Sequence, residues 1–369
     1  MSAYQQTTHM ANKPVQERQA PGGEAIVVEN FTKSYGSNRV VDHVTFTVHQ
    51  GEVFALLGPN GAGKTTTIET LEGYRTPDQG NLHVLGLNPI RDSQALKSQI
   101  GVMLQQDGLY PGLTAREVLH LFASYYKQPQ HKDLLPTGNA LRASDPTQPP
   151  VLQRFATASS QQNPPAHSSG RSSSIDNLLE RVGLSSAART RCRRLSGGQK
   201  RRLALAVALV GNPALVFLDE PTAGMDPQAR LATWEIIRAL KSAGVTVLLT
   251  THLMDEAERL ADRVAIIDHG RLIALDTPAG LTGVQNATVV RFVAPAGLDC
   301  AQLAALPAAH KAEEIRPGSY LIETDAAPVL VAALAAWLRD QQITLTELRV
   351  GHGSLEDLFL RLTGAEIRE

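Results

Sequence analysis

The stretch EVFALLGPNGAGKTTTIETL leaves this chain few folds to choose from. An apolar, strand-like run from Glu52 to Leu57 enters a glycine turn, and helical text follows from Lys64 to Leu71. The turn itself, Gly58-Pro59-Asn60-Gly61-Ala62-Gly63-Lys64-Thr65, has the spacing G-x-x-x-x-G-K-[ST]. Glycines there let backbone N–H groups converge on phosphate oxygens that side chains would otherwise block. The helix start adds about half a positive charge. Lys64 is then placed to reach β and γ phosphates, and the Thr65 hydroxyl to hold Mg²⁺.

The text around this turn reads as an α/β core. From Ala25 the alternation in AIVVENFTKSYG and VDHVTFTVHQ indicates a hairpin-rich sheet ahead of the buried strand. Farther on, PALVFLDEP and GVTVLLTTH are short apolar runs of the buried parallel type, separated by a helix over roughly Pro227 to Ser242. Asp219 ends the first run, where a carboxylate meets a phosphate-bound magnesium. Glu220 follows and is placed to polarise an attacking water. His252 ends the second run and can orient water beside a γ-phosphate. Gln105, next to Gln106, offers an amide to Mg²⁺ or water, and Tyr35, in a turn, offers a ring to a base.

Bulk properties set the limits. With 369 residues and 43% of them hydrophobic, the chain has room for two or three domains. Lys plus Arg (35) balance Asp plus Glu (36), which disfavours nucleic acid as a partner. The two cysteines, Cys192 and Cys300, lack metal-ligand spacing and read as free thiols. No apolar run approaches the ~18 residues of a membrane span. The longest candidate, Ala326 to Leu338, contains Pro328 and reads as a buried helix. Residues 1–24 read as a flexible polar tail, and residues 129–174, rich in Pro, Ser, Gln and Thr, as a disordered insertion. Residues 285–369 read as a small α/β appendage without a catalytic cluster.

A second glycine turn complicates the picture. CRRLSGGQKRR places Ser196, Gly197 and Gly198 at the start of a strong helix with apolar positions at Leu203, Val207 and Val210. Ser196 is a natural N-cap, and the glycines expose N–H groups at a positive helix end. This is a second phosphate site. It faces the same nucleotide within the chain or serves another copy, and residue chemistry alone allows both. The surrounding bases, Arg189, Arg191, Arg193, Arg194, Lys200, Arg201 and Arg202, also allow a nucleic-acid patch, which the near-neutral whole chain disfavours.

Together these residues resemble an ATP-binding cassette (ABC) ATPase. Gly58 to Thr65 resembles the Walker A loop, Leu195 to Gln199 the signature LSGGQ, and Val216 to Asp219 the Walker B strand. Ala223 to Asp226 resembles the D-loop, His252 the switch histidine, Gln105 the Q-loop and Tyr35 the adenine-stacking aromatic. The resemblance spans about Ala25 to Thr282 and implies a P-loop NTPase fold with a mixed core sheet, an antiparallel β subdomain and a helical signature subdomain, followed by the small C-terminal α/β domain. The cassette would occupy residues 25–284.

It further implies ATP and Mg²⁺ as cofactors. Tyr35, Gly58, Pro59, Asn60, Gly61, Ala62, Gly63, Lys64, Thr65, Thr66, Gln105, Ser196, Gly197, Gly198 and Gln199 would contact nucleotide. Thr65, Gln105 and Asp219 would serve the metal, and Glu220, His252 and Lys64 the reaction, with Asp226 at a dimer interface. Two copies would pair head to tail, so that the second cradle belongs to the neighbour's nucleotide. GLYPGLTARE and SLEDLFLRLTG resemble ATPase subunits of multidrug or daunorubicin-type exporters. That points to export of a drug-like or lipid substrate through a separate integral membrane permease, with this chain held at the cytoplasmic face of the cell membrane. The insertion departs from the family pattern. The rival readings are a soluble ABC-type ATPase acting on ribosomes or nucleic acid, which the single cassette and lack of heptads disfavour, and a lone P-loop kinase, which leaves the signature unexplained.

Overall fold

The structure is a computed structural model that describes residues 23–103, 108–126, 170–282, 288–352 and 354–363. Gln105, residues 1–22 of the expected tail and residues 129–169 of the expected insertion lie outside the described residues.

In chain order the first elements are β1 (Glu24–Tyr35), β2 (Asn38–His49), β3 (Val53–Leu57), α1 (Lys64–Leu71), β4 (Gln79–Val84), α2 (Ser93–Lys97), β5 (Ile100–Met103), α3 (Ala115–Tyr125) and α4 (Gly170–Arg181). Next come α5 (Gly197–Leu209), β6 (Leu215–Asp219), α6 (Pro227–Ser242), β7 (Thr246–Thr250), α7 (Met254–Leu260), β8 (Arg263–Asp268), β9 (Arg271–Asp276) and α8 (Pro278–Leu281). The last are β10 (Thr288–Val293), α9 (Cys300–Ala304), β11 (Ala309–Arg316), β12 (Ser319–Thr324), α10 (Ala327–Asp340), β13 (Glu347–His352) and α11 (Leu355–Thr363).

A six-stranded sheet in the order β5-β6-β7-β3-β8-β9 is parallel except at its β8–β9 edge. The hairpin β1–β2 and strand β4 form a separate antiparallel sheet, β2-β1-β4. The central strand β3 is buried along its whole length, and its period of two sends alternate residues into two cores. Val53, Ala55 and Leu57 join residues of α3, α5, α6 and α7 on one side. Phe54 and Leu56 join α1 and the antiparallel sheet on the other, where Phe46 stacks on Phe54 at 5.4 Å. Such a strand must be apolar on both faces, which explains the uninterrupted run VFALL.

A third core lies between the four-stranded antiparallel sheet β11-β12-β10-β13 and its helices, with Phe292 stacked on Tyr320 at 5.0 Å. Its last helix returns to the first core. Leu355 and Phe359 of α11 are buried there, and the Leu355 amide donates to Glu258 of α7 at 2.5 Å. Arg291 of β10 grips Asp357 through paired hydrogen bonds, one of them 2.7 Å.

Three expectations change. Helix α4 begins at Gly170, inside the stretch expected to be disordered through Ser174. Helix α5 buries Leu203, Leu205, Ala206, Ala208 and Leu209, while Val207 and Val210 are half-buried. It packs against β5, α3 and α4 at once, so several faces are covered and a single apolar stripe is the wrong template. Helix α10 buries only the stripe Leu330, Leu334 and Leu338, and Val329 is 52% exposed, so it lies on a core rather than within one. Pro328 sits in its first turn, where a missing N–H leaves no helical bond unmade. Cys192 and Cys300 are both free thiols, as their spacing suggests.

Replacing Phe359 with Ala empties a place in the first core. Denaturant unfolding of Phe359→Ala should show a loss of about 3–5 kcal/mol relative to the parent chain.

Candidate active site

Loop 58–65 joins the buried end of β3 to the start of α1, and three glycines fix its path. A Cβ at Gly58 would lie 2.2 Å from the Ile267 carbonyl oxygen, and one at Gly63 (φ +102°) 2.7 Å from that of Val40. Gly61 has φ +82° with open space around it, so backbone conformation rather than crowding demands glycine there. Left-handed residues alternating in such a loop turn successive N–H groups toward one point, an anion nest. Asn60 and Thr65 are exposed, and Pro59 and Thr66 are half-buried. Lys64 is held at this mouth, its Nζ donating to the Gly58 and Pro59 carbonyls at 2.6 and 3.0 Å. Burial pulls its pKa down, and the negative charges of Glu220 and Asp219 oppose that shift.

Opposite lies the end of β6. Asp219 accepts a short hydrogen bond from the Thr250 hydroxyl of neighbouring β7. Burial raises the Asp219 pKa, and this bond works against the rise. The Glu220 backbone has φ +48°, a strained region for a non-glycine residue. It is over-determined by its surroundings. The Glu220 N–H donates to the Thr250 carbonyl at 3.1 Å and to its hydroxyl at 3.2 Å. The Glu220 carbonyl accepts from Nε and Nη2 of Arg201, on α5, at 3.1 and 2.5 Å. Its side chain thereby meets His252, with 3.5 Å between Oε1 and Nδ1.

The structure therefore brings Lys64, Asp219, Glu220 and His252 to one end of the parallel strands. The other expected residues have different neighbours. Ser196 caps α5 in a reciprocal box, its hydroxyl accepting from the Gln199 N–H at 3.2 Å while Gln199 Oε1 accepts from the Ser196 N–H at 3.0 Å. A Cβ at Gly197 or Gly198 would meet no atom within 4 Å, and neither has positive φ. Among the described residues, nothing outside α5 itself requires glycine at either position. Asp226 caps α6, accepting from the Ala229 N–H at 2.9 Å. Tyr35 closes β1 and is 42% exposed, with Arg75 and Lys33 at 5.4 and 5.6 Å from its ring centre.

Residues that the sequence did not single out complete the site. Thr250 ties Asp219 and Glu220 to one hydroxyl, and only its polarity within an apolar strand hints at this. Glu72 ends α1 and is 2% exposed, with Oε2 lacking a partner among the described residues. Burial, reinforced by the charges of Asp219 and Glu69, pushes its pKa up to about 8. Glu256 of α7 is fully buried and accepts from Thr222 and from the Trp234 indole, both at 2.9 Å. The donor set suits Mg²⁺: an exposed hydroxyl on Thr65 and a carboxyl on Asp219 are hard oxygens, the kind this ion takes beside phosphate and water.

Residues 41–223 match the family model described as ABC transporter. Among curated proteins, the chain is 37% identical to the Nod factor export ATP-binding protein I of Paraburkholderia xenovorans, over 94% of this chain and 99% of that protein. It is 33% identical to the linearmycin resistance ATP-binding protein LnrL of Bacillus subtilis, over 92% of this chain and 99% of that one. Among solved structures, an ATP-binding subunit of an ABC transporter superposes with a TM-score of 0.56 at 26% identity, covering 70% of this chain and 92% of that chain. A cassette in a dimeric post-hydrolysis state with ADP and Pi shares the fold, with a TM-score of 0.54 at 22% identity over 68% of this chain and 98% of that chain.

Glu72 gives a signed pH prediction. Its folded pKa lies above the ordinary value, so its contribution is fully present below pH 4.5 and is lost as pH rises through about 8. Glu72→Gln removes that loss. Thermal or denaturant unfolding should show the variant gaining on the parent between pH 5 and pH 9 by up to about 4 kcal/mol.

Proposed function

The chain belongs to the ABC transporter family as an ATP-binding subunit with exporter-type relatives, and we propose that it hydrolyses ATP to drive export through a separate membrane permease. Two copies close head to tail on Mg-ATP, and hydrolysis reopens them. The observation that carries the reading is the cluster at the strand ends, where Lys64 faces two carboxyl groups and Glu220 lies 3.5 Å from His252.

In this reading the N–H groups of loop 58–65 receive the β and γ phosphates. Lys64 Nζ passes from the loop carbonyls to the phosphate oxygens. Thr65 and Asp219, with Gln105, hold Mg²⁺, which supplies charge neutralisation at the transferring phosphoryl group. Glu220 accepts the proton of the attacking water. The bonds from Thr250 and Arg201 fix its backbone, so its carboxyl needs little reorganisation. His252 orients that water and the γ-phosphate from the other side. Tyr35 stacks on adenine.

The second cradle serves the other copy. Ser196, Gly197, Gly198 and Gln199 take the partner's γ-phosphate, and Asp226 lines the contact between copies. The open space around both glycines supports this, because a ligand from outside can approach the backbone there. Among the described residues no helix is long and apolar enough to cross a membrane. The membrane path then belongs to a permease, and the chain sits on its cytoplasmic side. The names of the relatives, one for export and one for resistance to linearmycin, favour a drug-like or lipid substrate.

Glu220→Gln keeps the shape and loses the base. It should bind ATP like the parent, turn over about 10²–10³-fold more slowly, and accumulate as a dimer in Mg-ATP by light scattering. Parental turnover in that variant would overturn the role of Glu220, and a monomer in saturating Mg-ATP would overturn the paired site.

A further inference from the structure

The buried carboxyl of Glu256 has no part in the mechanism above, yet it joins the two segments that carry Glu220 and His252. Its Oε1 accepts from the Thr222 hydroxyl at 2.9 Å and from Trp234 Nε1 at 2.9 Å. Thr222 lies two residues beyond Glu220, and Trp234 lies on α6, the helix that Asp226 caps. Glu256 itself is on α7, one turn beyond His252. One carboxyl oxygen therefore bonds the loop after β6, the helix after that loop and the helix after β7.

The cost of burying Glu256 shows that this is more than filler. The residue is 0% exposed, and its Oε2 has no hydrogen-bond partner among the described residues. A buried polar atom left unbonded costs about 1–3 kcal/mol, and an apolar side chain of similar size would avoid that cost. Thr222 is also almost fully buried, so each group depends on the other for a partner. Other bonds make the Glu220–Asp226 segment a stiff unit: Ala223 N–H to Glu220 O at 3.2 Å, Met225 N–H to Thr222 O at 3.1 Å, and the Thr233 hydroxyl to Met225 sulfur at 3.4 Å. On the other side, the Glu256 N–H donates to Leu253 O at 3.1 Å, one residue from His252. Shifting the Glu256 carboxyl therefore moves the two segments against each other.

We propose that Glu256 is a positioning residue for hydrolysis: by bonding Thr222 and Trp234 it sets the contact between Glu220 and His252. The inference rests on the ATPase reading above. Its energetic basis is geometric, since displacing a reacting group by about 1 Å can cost on the order of 100-fold in rate. The link also gives α6 a direct connection to the site through the Trp234 indole, whose ring lies 5.6 Å from the Arg259 guanidinium on α7.

The test uses the full chain carrying Trp337→Phe, which leaves Trp234 as the one tryptophan, since the sequence has two. In that background Glu256→Leu, Glu256→Gln, Thr222→Val and Thr222→Ser are compared for kcat, ATP affinity and indole fluorescence. Gln retains an oxygen able to accept both bonds, and Ser retains the hydroxyl, so these two should stay within about threefold of the parent in kcat. Leu and Val should lower kcat at least about tenfold while ATP affinity moves less than about threefold. Glu256→Leu should also shift the Trp234 emission, since the indole loses its acceptor, and Glu256→Gln should not.

Thr222→Val alone decides the matter if Glu256→Leu does not fold, because Val nearly matches the volume of Thr. Parental kcat in Thr222→Val would overturn the proposal. So would a Gln variant as slow as Leu, or a fall in kcat matched by an equal fall in ATP affinity. If neither the unsubstituted chain nor the Trp337→Phe parent hydrolyses ATP, the ATPase reading fails instead, which keeps the two failures apart.

Discussion

Two backbone carbonyls decide where loop 58–65 can lie. The oxygens of Ile267 and Val40 stand where side chains on Gly58 and Gly63 would project, at 2.2 and 2.7 Å from the imagined Cβ atoms. The loop is thus wedged between the end of β8 and the start of β2. Hydrogen bonds extend the wedge: the Gly270 N–H donates to Ala62 O at 3.1 Å, and the Asp42 N–H donates to Gly270 O at 2.8 Å. The β8–β9 turn, the loop and β2 form one bonded column. The antiparallel sheet is therefore tied to the parallel sheet through loop 58–65, and Tyr35, at the end of the strand paired with β2, is placed by the same column.

The electrostatics of the site follow from this packing. Packing around the loop and strand ends desolvates Asp219, Glu72 and Lys64, and each shifts toward its neutral form. Asp219, Glu220 and Glu72 outnumber the cations Lys64 and Arg201 beside them, which leaves an excess of acid. A divalent cation would relieve that excess, and phosphate oxygens would compensate the cation in turn. Thr250 resists the neutralising trend by donating to Asp219, which favours its ionised form.

The sequence disclosed those features that rest on local rules. Helix α6 runs from Pro227 to Ser242 as read, because Asp226 caps it and Pro227 begins it. Helix α1 and the strands β3, β6 and β7 were legible because a glycine turn or an acidic pair interrupts each apolar run. The capping role of Ser196 was legible from its own chemistry. Features that depend on distant segments were not. Glu72 looks like an ordinary surface acid before Gly73, and only tertiary packing turns it into a buried one. The covered faces of α5 depend on α3 and α4, which no period within α5 can encode. The grouping of Thr250 with Asp219 arises from strand register, which pairs these two residues directly across β6 and β7.

Strand register and helix faces together explain why the C-terminal segment matters to a site it does not enter. Helix α7 turns Glu256, Ala257 and Leu260 into the interior, while exposed Glu258 receives the Leu355 amide at 2.5 Å. Leu355 and Phe359 then share the core that holds Leu218, Leu249 and Met254, the residues adjoining Asp219, Thr250 and Leu253. Arg291 fixes Asp357, and Arg361 reaches Glu313 and Glu323 at 3.0 and 3.2 Å, so α11 is fastened to the four-stranded sheet as well. A helix held on both sides cannot slide along one without disturbing the other. The helix beyond His252 is therefore braced twice, by the Glu256 bonds within and by α11 without, and the position of the histidine is a property of both cores.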